Sequence, residues 1–80
     1  MKLKAAINRF LIVNLPVQEA ISSPDKNSFE VRVPRSDAST LIRPGTCCEL
    51  EEEHMARKLV VRDVRLLSNA VHIYCAGRVS

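Results

Sequence analysis

Thr46-Cys47-Cys48-Glu49-Leu50-Glu51-Glu52-Glu53-His54-Met55-Ala56-Arg57-Lys58-Leu59-Val60-Val61-Arg62-Asp63-Val64-Arg65-Leu66-Leu67 has two incompatible readings, and the choice between them decides the fold. Read as a helix from Cys47 to Leu67, it opens with a capping box, Thr46 to Glu49. Its acids Glu49, Glu51, Glu52 and Glu53 then precede its bases Arg57, Lys58, Arg62 and Arg65, as a helix dipole favours. Read as strands, it breaks at the polar stretch from His54 to Lys58, and Leu59-Val60-Val61 is rich in β-branched residues. The apolar positions Leu50, Met55, Leu59, Val60, Val61, Val64, Leu66 and Leu67 do not fall on one narrow helical stripe. Two strands, about 47–53 and 58–67, are therefore preferred, with the helix kept as the alternative.

The pattern extends outward on both sides. Ser68-Asn69 is turn composition. Ala70-Val71-His72-Ile73-Tyr74-Cys75-Ala76 then alternates, with Val71, Ile73 and Cys75 on one face and His72 and Tyr74 on the other. The back half thus reads as a three-stranded antiparallel meander. Upstream, Arg43-Pro44-Gly45-Thr46 is a turn, and Ser36 to Ile42 offers cap residues for one or two helical turns. Phe29-Glu30-Val31-Arg32-Val33 alternates strictly and stops at Pro34, and Ser22 to Ser28 is a loop. The opening, Leu3 to Leu15, keeps strand parity apart from Arg9, although a helix over 5–12 fits nearly as well.

Eighty residues make one domain, spanning 1–80. With no Trp, and only Phe10, Phe29 and Tyr74 as aromatics, the core must be aliphatic, and stacking platforms for single-stranded nucleic acid are scarce. The net charge of +3 favours an anionic partner. Cys47, Cys48 and Cys75 are an odd set, unlike a secreted disulfide framework. The apolar stretch after Arg9 is too short for a signal core or a membrane span. A cytoplasmic protein with reduced thiols and no membrane partner is expected.

Three kinds of chemistry bear on these residues. Metal binding by Cys47, Cys48, Cys75, His54 and His72 is disfavoured, because adjacent strand residues point to opposite faces and no C-x-x-C pair exists. Nucleophilic catalysis is disfavoured because Cys47 and Cys48 sit beside acids that raise a thiol pKa. No enzyme activity, cofactor or metal is expected. Phosphate contact is the third: Arg32, Arg35 and Arg43, on a strand face and beside two prolines, present guanidinium groups suited to bidentate binding. Glu49, Glu51 and Glu53 share one strand face and form an acidic edge on which another protein would dock.

Val31-Arg32-Val33-Pro34-Arg35, a short polar helix, Ile42-Arg43-Pro44-Gly45-Thr46 and an acidic hairpin reaching Leu59-Val60-Val61-Arg62-Asp63-Val64 resemble the swapped-hairpin DNA-binding domain of AbrB and MazE proteins. The resemblance spans about residues 29–66. It implies an intertwined homodimer with Arg32, Arg35 and Arg43 near the DNA-facing side.

The expected fold is mainly β (or α+β), a small antiparallel β-barrel or swapped-hairpin sheet with one short helix. A core this thin also favours a homodimer. The expected function is a small binding module, a DNA-binding regulator or antitoxin-like dimer. The alternative is a protein-binding adaptor or inhibitor using an open strand edge and segment 49–53.

Overall fold

The stretch from Cys47 to Leu66 is a hairpin, not a helix, in the computed structural model, which describes residues 1–25 and 27–77. Seven strands make one antiparallel sheet: β1 (Lys2–Asn8), β2 (Leu11–Pro16), β3 (Glu19–Ser22), β4 (Ser28–Pro34), β5 (Cys47–Glu51), β6 (Ala56–Leu66) and β7 (Ala70–Gly77). Among the described residues the helical content is a single 3-10 turn, Ser39–Leu41. The domain is therefore mainly β.

The strand order β2-β1-β5-β6-β7-β4-β3 explains the curvature. β2 and β3 lie at opposite margins of the sheet, yet only Val17 and Gln18 separate them in the chain. The sheet must curl until its margins approach. Gln18 N–H donates to the Arg32 carbonyl at 2.8 Å, Val17 N–H to the Met1 carbonyl at 3.3 Å, and β2 comes against β4. The result is a partly open barrel.

Alternation decides which face is buried. Leu3 and Ala5 of β1, Leu15 of β2, Phe29, Val31 and Val33 of β4, Cys48 and Leu50 of β5, Leu59 and Val61 of β6, and Val71, Ile73 and Cys75 of β7 all point inward. Ile42, from the loop after the 3-10 turn, completes the core. Cys48 and Cys75 face each other there. Contact with the Cys48 thiol, and burial, push the Cys75 thiol far above its usual pKa.

Two local devices account for what the pattern obscured. A bulge between Val61 and Asp63 inserts Arg62, so that Val61 and Val64, three residues apart, both pack inward. At the other break in parity, Arg9 belongs to the turn between β1 and β2, where Phe10 N–H donates to the Asn8 Oδ1 at 2.8 Å. The opening segment is thus a hairpin, which resolves the helix alternative over 5–12. Gly45, at φ 95°, occupies the left-handed conformation that the Pro44-Gly45 turn requires.

Candidate functional site

The loop joining β4 to β5 positions two of the three predicted arginines. Its 3-10 turn is held by a reciprocal pair: Ser36 N–H donates to the Ser39 hydroxyl at 2.8 Å, and Ser39 N–H to the Ser36 hydroxyl at 3.1 Å. Ser39 is fully buried and anchors the loop against the barrel. Arg35 precedes this turn, and its N–H donates to the Asn69 carbonyl at 3.2 Å, extending the β4–β7 pairing. Arg43 follows the turn, with its N–H on the Thr46 hydroxyl at 3.2 Å.

Both guanidinium groups are tethered at one nitrogen. Arg35 Nη1 donates to the Leu67 carbonyl at 2.9 Å. Arg43 Nη1 donates to the carbonyls of Thr40 at 2.6 Å and Ile42 at 3.1 Å. Among the described residues the Nε–Nη2 edge of each has no partner, and that edge is the fork that grips an anion through two parallel bonds. Both arginines line one groove of about 510 Å³ with Ser36, Asp37, Thr40, Leu41 and Leu66. Leu41 and Leu66, 42% and 50% exposed, add apolar surface to this lining, and Asp37 adds a carboxylate beside the two arginines.

Arg32 is placed differently. It stands on the outer face of β4, opposite Glu19 of β3 and His72 of β7. Its Nε and Nη2 donate to the Glu30 Oε2 at 3.1 and 2.8 Å, and its Nη1 donates to the Glu19 Oε2 at 3.0 Å. The fork is already filled by carboxylate. Glu30 also accepts the Tyr74 hydroxyl. That bond and the Arg32 contacts hold its carboxyl below the usual range, while the Tyr74 phenol and the Arg32 guanidinium shift upward. The structure thus brings Arg35 and Arg43 together and leaves Arg32 in a closed network.

The acidic residues do not form a sheet edge. β5 runs in the interior of the sheet between β1 and β6. Glu49 faces outward between Lys4 and Lys58, and Glu51 lies opposite Lys2, with Lys2 Nζ 3.9 Å from its Oε2. The strand stops at Glu51, so Glu53 sits in the exposed β5–β6 turn beside His54 instead of sharing the strand face. Lysines on both flanking strands offset the expected negative face. The open margins of the sheet are β2 and β3. Sequence reasoning missed the exposed apolar tip at the β1–β2 turn and the start of β2, Phe10, Leu11 and Ile12, at 89%, 40% and 56% exposure. The signal for it was a run without charge from Phe10 to Gln18.

Among the described residues, Cys47 faces outward while Cys48 and Cys75 face inward, so the three cysteines do not converge. No described helix is long and apolar enough to cross a membrane. No known family matches the chain, no curated protein resembles it, and no solved structure matches its fold.

Proposed function

We propose that this chain is a non-enzymatic binding module whose groove between Arg35 and Arg43 takes the phosphate backbone of DNA, in the manner of a DNA-binding regulator. The observation that carries this reading is the pair of tethered arginines lining one groove, each with its two-donor edge unoccupied among the described residues. A tethered guanidinium loses little further freedom on binding, and phosphate accepts its two parallel bonds. The net charge of +3 supports the encounter with a polyanion. The resemblance of residues 29–66 to the AbrB and MazE domains points to the same arginines, and Arg32 drops out because its donors are engaged by Glu30 and Glu19.

Fluorescence anisotropy of a labelled duplex, titrated with protein at two salt concentrations, tests this. Each phosphate neutralised contributes about 0.9 to the slope of log affinity against log salt. The double variant Arg35→Ala/Arg43→Ala should flatten that slope by about 2, while Arg32→Ala leaves it unchanged. Absence of binding at low salt, or an equal effect of Arg32→Ala, would sink the reading.

A further inference from the structure

β2 is a margin of the sheet that β4 approaches without forming a ladder with it, and its hydrogen-bonding pattern is one that a second copy of the same strand would complete. Val17 N–H donates to the Met1 carbonyl, and the β1–β2 register pairs Leu3 with Leu15 and Ala5 with Val13. Backbone groups in an antiparallel ladder alternate in direction, so Val13 and Leu15 bond toward β1 while Ile12, Asn14 and Pro16 point away from it. The β5–β6 side gives the same phase: Val61 N–H donates to the Thr46 carbonyl and Glu52 N–H to the Met55 carbonyl. That turns the backbone of Lys4 and Ala6 toward β5, away from β2. Among the described residues no strand pairs with the outward side of β2. Pro16 has no N–H, so the outward donors of β2 are those of Ile12 and Asn14.

We infer that β2 pairs antiparallel with β2 of a second copy about a two-fold axis at Val13, extending the sheet across a homodimer. Ile12 and Asn14 are two residues apart, so the axis places Ile12 of each copy opposite Asn14 of the other. The outward N–H and C=O groups of Ile12 and Asn14 are then satisfied reciprocally, the self-complementarity an isologous interface requires, with the Pro16 carbonyl lying beyond the exchanged pair. Charge favours this direction. Phe10 to Gln18 carries no charge, Arg9 precedes the run and Glu19 follows it. With the axis at Val13, antiparallel pairing sets Arg9 of each copy opposite the uncharged Val17 of the other, whereas in-register parallel pairing would set the two Arg9 side chains together. The side chains at the seam include Leu11 and Ile12, apolar and exposed in the single chain. β3, the other margin, is four residues long and opens on Glu19, which is already bonded to Arg32.

This inference is independent of the DNA reading, and its test needs no nucleic acid. Sedimentation equilibrium of the full chain, over roughly 5–200 µM, should show a dimer. Asn14→Pro removes one outward donor per copy and strands the carbonyl opposite it, which should raise the dimer dissociation constant on the order of a hundredfold. The far-UV circular dichroism should persist, because an edge strand tolerates proline where its N–H faces out. Asn14→Ala keeps the donor and should remain dimeric. A monomer throughout the range, or an Asn14→Pro variant that dissociates like the unaltered chain, overturns the inference. Should Asn14→Pro lose its strand signal, Ile12→Glu, at a position 56% exposed, decides by the same two outcomes.

Discussion

Ile73 is the residue whose truncation measures how much the barrel interior contributes. It has no exposed surface and sits at the middle of β7, opposite Val31 on β4 and Val64 on β6. Ile73→Ala removes three carbons at about 0.8 kcal/mol each. It also leaves a cavity between two strands that β-pairing holds apart, bringing the expected loss to about 3–4 kcal/mol. A domain of this length has roughly 4–12 kcal/mol in total, so the variant loses between about a quarter and nearly all of its stability. Its melting temperature should fall by about 15–30 °C. Ile21→Ala deletes the same atoms from β3, where the side chain is 44% exposed, and should cost about 0.5 kcal/mol. With no Trp in the chain, urea unfolding followed by far-UV circular dichroism is the suitable assay. Equal losses for the two variants, or under about 1 kcal/mol for Ile73→Ala, would refute the assignment of inner and outer faces.

Two further outcomes follow from the side-chain network and the thiols. Glu30 is held below its usual pKa by the Tyr74 hydroxyl and Arg32, so its contribution is present above the unfolded value near 4.5 and is lost as pH falls through the lower folded value. Glu30→Gln should therefore flatten the acid limb of a stability–pH curve; an unchanged limb counts against the network. A thiol reagent should modify Cys47 quickly and Cys48 and Cys75 only after unfolding, since the first is exposed and the others are buried. Rapid modification of all three in the native chain would contradict the orientation of β5.

What the amino-acid pattern made legible depended on asymmetry between faces. β4 and β7 alternate cleanly because one side of each meets the core and the other meets solvent, so Phe29, Val31, Val33, Val71, Ile73 and Cys75 were readable as inward. β6 was harder, since the bulge at Arg62 shifts the phase within one strand, and a shifted period of two imitates a helical one. The turn at Arg9 carries no Gly or Pro and is closed by the Asn8 side chain, which hid the break between β1 and β2. β3 was missed because none of Glu19 to Ser22 is fully buried. Its strand conformation comes from pairing with β4, a tertiary effect that leaves no local trace. Arg35 and Arg43 could be singled out from their neighbouring prolines. Arg32 could not be told apart from them, because one of its partners, Glu19, arrives on that unforeseen strand.

The interior position of β5 has a kinetic meaning. Lys4 of the first strand lies opposite Glu49, so the β1–β2 hairpin cannot dock until more than half the chain exists. The meander β5–β6–β7, made of local contacts, forms rapidly by comparison, whereas closing the large loop between β1 and β5 carries the entropy of every intervening residue. At ribosomal rates of about 5–20 residues per second, the first hairpin waits on the order of seconds for its neighbour. During that interval the uncharged run from Phe10 to Gln18 is paired with β1 alone, and the inward face of the hairpin has no opposing core to cover it. The most hazardous segment of the nascent chain is thus one whose pairing strand is made first and whose opposing core is made late.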